Sequence, residues 1–150
     1  MTDHDRCEDR AEIVALIHRY AELLDGGQLD EVAALFAHAT WRASMTGVTL
    51  TTVEQVRAVY GNVILYEDGT PRTRHLMTNV TVRVDDDGTT ASSSCYFTVL
   101  QGVVPGEPIQ VILSGRYLDQ LAKGPGGWHF TDRLFHADVI GDQSRHFRMT

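Results

Sequence analysis

Tyr20, Asp25 and His75 are the residues in this chain best suited to move a proton together. Tyr20 and Asp25 fall at the end of an apolar-striped segment, and His75 stands near the start of a long strand-like run, TRHLMTNVTV. Ile13, Leu16, Ile17, Tyr20, Leu23 and Leu24 recur at three- and four-residue spacing, which is one face of a helix. Tyr20 lies within that stripe, so its ring is expected to point inward. Asp25 is about 140° further round at 3.6 residues per turn, on the rim of the stripe. Gly26 or Gly27 supplies the left-handed residue that stops the helix. A carboxylate there meets the negative end of the helix dipole. If it is also partly buried its pKa should be raised, which suits a general acid or base. The plainer readings are an Asp in an ordinary glycine turn and a core tyrosine with a satisfied hydroxyl.

Other side chains could join such a pocket. Strict alternation sets His75 and Met77 on one face of their strand, and Leu76, Val80 and Val82 on the other. It does not say which face is inside, and a bulge could exchange the two partway along. Tyr96 and Tyr117 could each offer a phenol, although both are common strand residues. In WHFTDRLFHADV, alternation groups Trp128, Phe130, Leu134 and His136 on one face and His129, Arg133 and Phe135 on the other. Arg133 and His136 are candidate pocket groups. The chain has seven histidines, but none shows metal-ligand spacing within one element. His75, His129 and His136 could converge, though nothing requires it, and no metal site is expected. No nucleophile elbow, P-loop or dinucleotide fingerprint occurs.

The elements that must position these residues follow from pattern. A second helix is predicted from Leu29 or Asp30, with Val32, Ala33, Leu35 and Phe36 on its apolar side. Trp41, Ala43 and Met45 mark a short strand, and Val48 to Leu50 another. Thr51 or Thr52 caps a third helix carrying Val53, Val56, Val59, Tyr60, Val63 and Ile64. Four long strands are then predicted over Thr73–Val84, Thr89–Gln101, Ile109–Leu121 and Trp128–Ile140, separated by Gly- and Pro-rich turns. Helices followed by an antiparallel meander indicate an α+β architecture. A single domain over residues 9–142 is expected, with a flexible tail at residues 1–8 and a polar C-terminal tail at 143–150.

Composition bounds the partners. The chain has 150 residues and a net charge of −7, so a nucleic-acid-binding face is not expected. No apolar run reaches the roughly 20 residues of a membrane span, and the charged N-terminus does not resemble a secretion signal. Cys7 and Cys95 form no disulfide framework. A cytoplasmic setting is expected.

Three stretches, IHRYAELLDGGQLDEVAALF, RTRHLMTNVTVRVDDDGTTASSSCYFTVLQ and GWHFTDRLFHADVIGD, resemble the nuclear transport factor 2-like superfamily, and within it the SnoaL-like branch. The resemblance implies a cone: N-terminal helices packed in a strongly curved, antiparallel-rich sheet that wraps a pocket. The branch includes scytalone dehydratase and bile-acid 7α-dehydratase. Their catalytic Tyr and Asp of the first helix and His of the first long strand match Tyr20, Asp25 and His75. The bile-acid enzyme also has an Arg late in the last strand. Here that region reads FHAD, with His136 or Asp138 near the position. The implied function is a cofactor-free lyase or isomerase on an apolar ring compound bearing a hydroxyl or carbonyl group, with Trp41, Met77, Tyr96, Tyr117, Arg133 and His136 about the substrate. The superfamily also implies a homodimer or homotrimer. The alternative is a non-catalytic binding or assembly module similar to the β subunit of ring-hydroxylating dioxygenases. Hydrolysis with Asp25 activating a water is a third possibility.

Overall fold

A computed structural model of the chain describes residues 2–148. Its elements run α1 (Asp3–Asp25), α2 (Leu29–Ala34), β1 (Thr40–Ala43), β2 (Val48–Leu50), α3 (Val53–Tyr60), β3 (Thr73–Val84), β4 (Thr90–Gln101), β5 (Gln110–Gly124) and β6 (Gly127–Ile140). The strands form one sheet in the order β2-β1-β6-β5-β4-β3. β1 lies parallel to β6 and every other neighbouring pair is antiparallel. The sheet is therefore mixed, and the three helices pack on its concave side.

α1 is longer than its apolar stripe. Thr2 and Asp5 form a reciprocal capping box, so residues 3–8, expected as a tail, are the first turns of the helix. Asp9 is buried and accepts hydrogen bonds from Lys123 Nζ at 2.6 Å and Trp128 Nε1 at 2.9 Å. Those bonds fix the first half of α1 to the β5–β6 hairpin. The second half is held by Ile13, Ile17, Tyr20 and Leu24, all buried. Each fully buried isoleucine contributes about 2 kcal/mol of hydrophobic stabilisation. At the other end of the chain, Phe147 bridges to Val63 and His146 is buried, so residues 143–148 fold back on the domain. Met1, Met149 and Thr150, parts of the two expected tails, lie outside the described residues.

Bulges decide which side chains face inward. In β3 the pairing to β4 slips between Thr78 and Thr81, where Asn79 takes a left-handed φ of 53°, a conformation Asn tolerates better than most residues. Thr73 and His75 point inward before the slip. Val80, Val82 and Val84 pack toward the core after it, whereas Leu76 stays outside. Strict alternation, which put Leu76 with Val80 and Val82, fails there. In β6 the pairing skips Thr131 and later Asp138. Trp128 and Phe130 face inward before the first slip, and Arg133, Phe135 and Ala137 after it. The sequence grouping that opposed Arg133 and Phe135 to Trp128 and Phe130 is therefore corrected, and His136 is sent to the outer face.

The end of α1 is fixed by two glycines. Gly26 caps the helix in right-handed conformation, and Gly27 turns left-handed at φ 74°. A Cβ on Gly27 would lie 2.0 Å from the Gly69 carbonyl oxygen. Gly27→Ala is thus expected to cost at least ~2 kcal/mol of folding stability, from left-handed strain and the clash together. Urea unfolding of the variant measures it, and an unchanged midpoint would refute it.

Candidate active site

Helix α1 ends where β3 begins, and the junction is a buried carboxylate. Asp25 Oδ1 accepts from His75 Nδ1 at 2.6 Å and from Thr73 Oγ1 at 2.8 Å, while Oδ2 accepts from the His75 backbone N–H at 2.8 Å. Burial pushes the Asp25 carboxyl up. The His75 ring, its backbone N–H and Thr73 together outweigh that and hold it below the usual carboxylate range. The raised pKa expected from the helix dipole is therefore overturned by local donors. An ionised carboxylate can only accept, so His75 donates from Nδ1. That tautomer leaves Nε2 as the ring's free lone pair.

Beside this pair stand three phenols. Tyr20 Oη lies 2.9 Å from Tyr60 Oη and 3.1 Å from Tyr117 Oη. The Tyr20 and His75 rings meet edge to face, 6.4 Å between centroids. Burial drives all three phenols well above their ordinary pKa, against the opposing pull of the Arg133 charge. They are neutral donors at physiological pH. Three hydroxyl protons share two contacts, and each contact carries one proton. One O–H is therefore left over for an oxygen from outside the group.

Arg133 lies beneath them, wholly buried. It makes a two-pronged pair with Asp119, both N···O distances 2.8 Å. Burial works against its charge, but Asp119 more than restores it, and the guanidinium stays protonated. Its Nη1 has no hydrogen-bond partner. The group instead packs on the faces of Tyr117, Tyr20 and Phe130, 4.2, 4.4 and 4.6 Å from their centroids.

These groups open onto a cavity of about 350 Å³. Tyr20, Tyr60, Tyr117, His75 and His146 are among its polar residues, and Trp41, Val59, Val99, Leu113 and Phe135 among its apolar walls. Its volume and lining are those of a small-molecule site. A shallower groove on the far side, beneath α1, is bordered by His18, Asp25, Arg74 and His75. His75 thus borders both hollows, and Asp25 the groove alone.

Of the other residues singled out by sequence, Trp41 and Tyr117 line the cavity and Arg133 underlies it. Met77 lines the groove beneath α1 instead. Tyr96 is half exposed on the outer sheet face, because it is one step out of phase with inward Cys95 and Phe97. His136 lies on that same outer face, bonded to Ser44 and Asp138. His129 packs against His38, so the three histidines that could have met do not. Among the described residues no group of three His, Cys, Asp or Glu side chains is placed to hold a metal ion.

Tyr60, Asp119 and His146 were not singled out. Tyr60 carried the same signal as Tyr20, a hydroxyl on an apolar helical stripe. His146, in the polar run QSRHFRMT, carried none. Burial, the nearby His75 and, in opposition, Asp25 set its pKa, which falls to about 4. The unfolded chain therefore binds a proton near pH 6.5 that the folded chain refuses. Stability is complete above pH 6.5 and declines as pH falls toward 4. His146→Gln is expected to flatten that slope, worth on the order of 3 kcal/mol, in denaturation curves recorded across this window. An unchanged slope would contradict it.

The SnoaL-like domain model matches residues 5–134, and the chain belongs to that family. No curated protein matches it. Solved structures share its fold. A Novosphingobium aromaticivorans protein assigned provisionally as a scytalone dehydratase superposes with a TM-score of 0.74 at 19% identity, over 94% of this chain and 91% of its own. A provisional aromatic ring hydroxylase from the same organism gives 0.72 at 23%, over 93% and 96%. An NTF2-like protein of that organism with a cystatin-like fold gives 0.69 at 20%, over 93% and 87%. At these identities the likeness is one of fold.

Proposed function

We propose that this SnoaL-like chain is a cofactor-free lyase or isomerase. Its substrate is a small, largely apolar ring compound carrying a hydroxyl or carbonyl group, of polyketide, terpenoid or steroid type. The observation that carries the reading is the His75 ring, held through Nδ1 by a buried ionised Asp25, in one cavity with three phenols that have an O–H to spare. Nε2 takes a proton from a carbon next to a carbonyl. The phenol donates to the oxygen where negative charge develops, and Arg133 beneath the rings adds a positive field. In dehydration the C–H electron pair becomes the new C=C bond, the C–O bond breaks, and hydroxide leaves as water with the proton His75 had taken. In isomerisation the same proton returns to a different carbon. Apolar walls keep bulk water from competing. The likeness to a provisional scytalone dehydratase supports the dehydration arm.

The proton step can be tested before the substrate is known. Indanone and decalone incubated with the protein in D2O should gain deuterium at the α carbon. His75→Ala should slow that exchange about 100-fold or more with an unchanged circular dichroism spectrum. Exchange that survives both His75→Ala and Asp25→Asn would end the reading.

The second reading, a binding or assembly module, draws on the outer sheet face. Leu76, Tyr96 and Leu118 are exposed there on neighbouring strands, a surface suited to a partner. Assembly into a homodimer or homotrimer is proposed in either case. Light scattering should give two or three times the chain mass of 16.7 kDa, and a monomer at micromolar concentration would exclude it. Among the described residues no helix is long and apolar enough to cross a membrane. The free Cys7 and Cys95 support a reducing, cytoplasmic setting.

A further inference from the structure

One wall of the cavity comes from the segment after β6, and the proton-transfer reading does not use it. Residues 141–148 are tied down from several directions. Ile64 N–H donates to the His146 carbonyl at 2.8 Å, and Arg148 N–H to Asn62 at 2.9 Å. Tyr66 Oη and Gln101 Nε2 both donate to the Arg145 carbonyl, at 2.6 and 3.1 Å. This anchoring brings His146 and Phe147 to the cavity, rings packed edge to face at 4.4 Å.

His146 is 3% exposed and its Nδ1 is sealed from solvent with no hydrogen-bond partner. Buried this way, the ring is neutral and carries one N–H. A proton on Nδ1 would be a buried donor with nothing to bond, the costlier choice. The proton therefore belongs on Nε2, the nitrogen left to the cavity side. His75 has the opposite polarity: its Nδ1–H is spent on Asp25 and its Nε2 accepts. One cavity thus holds an imidazole acceptor and an imidazole donor.

We propose that His146 is a substrate-contacting residue whose Nε2–H donates to a carbonyl oxygen of the ligand, so that the substrate class is a cyclic β-hydroxy ketone rather than a simple ring alcohol. The proposal rests on the proton-transfer role given to His75. The roles then divide by chemistry. His75 Nε2 takes the α proton, and the C–H electron pair moves into the enolate, whose oxygen stays bonded to His146. The surplus tyrosine O–H holds the β-hydroxyl, the oxygen on which negative charge develops as the C–O bond breaks. When the enolate collapses, the C=C bond forms, the C–O bond breaks, and hydroxide leaves as water with the proton from His75. No oxidant or further reactant is needed.

The test uses the full chain labelled with 15N in its histidines. The probe is the α,α-dimethylated β-hydroxy ketone of indane, which has no α hydrogen and cannot eliminate. The control is the matching α,α-dimethyl indanol. In the free protein the His146 signals should show the proton on Nε2. Adding the ketone should shift both His75 and His146, and it should bind about tenfold more tightly than the alcohol, the worth of one good hydrogen bond. His146→Phe should abolish that preference, and His146→Gln, which keeps a donor, should retain part of it. A ketone that shifts His75 alone, or a His146 proton on Nδ1, would overturn the proposal and leave the role of His75 standing. If neither probe shifts either histidine, the proposal and the pocket reading fall together.

Discussion

A negative charge at the carboxyl end of a helix is in an unfavourable place, and here it is also buried. Asp25 stands there because β3 supplies three hydrogen-bond donors within one turn of chain: the Thr73 hydroxyl, the His75 amide and the His75 ring. Charge-assisted bonds of this kind are stronger than neutral ones. They offset the helix dipole and the loss of water together. The same bonds join the first helix to the first long strand, set the tautomer of His75 and place Tyr20 against it. That junction defines the site and seats the carboxyl end of α1.

Next to this anion the fold buries a cation. Arg133 and Asp119 are both out of water, and a buried pair is often no more stabilising than apolar side chains of the same volume. Its value lies in location. The guanidinium sits between aromatic faces, so one unpaired nitrogen finds π electrons in place of an acceptor. Through those rings its charge reaches the cluster of three hydroxyls.

The parts of this structure legible in the sequence were the local ones. The apolar stripe through Tyr20, the glycine stop after Asp25 and the strand start at His75 brought those three residues to one place. The boundaries of β3 and the α+β order were likewise readable from turn residues and alternation. Nonlocal features were not. The direction of the Asp25 pKa depends on donors roughly fifty residues away. His146 sits in a polar run with no period, held by backbone bonds that leave no mark on composition. Arg133, Tyr96, Met77 and His136 were placed by phase. A single slip at Thr131 moved Arg133 inward and His136 outward, and phase cannot be read across a bulge.

That slip bears on how relatives of this chain diverge. Because side chains alternate, the residue count between two fixed points in β6 decides which set of them forms the cavity wall. Deleting Thr131 would restore regular pairing and leave Arg133 and Phe135 inward, whereas pairing Thr131 regularly, with no change in length, would present Leu134 and His136 in their place. A relative that keeps the residue but not the bulge would thus replace a cationic, aromatic lining with a different one, while the outline of the sheet stayed the same. An ungapped comparison of two family members across β6 can therefore equate residues on opposite faces. The loss of a bulge at constant length is a change of pocket chemistry, although on paper no residue has been added or removed.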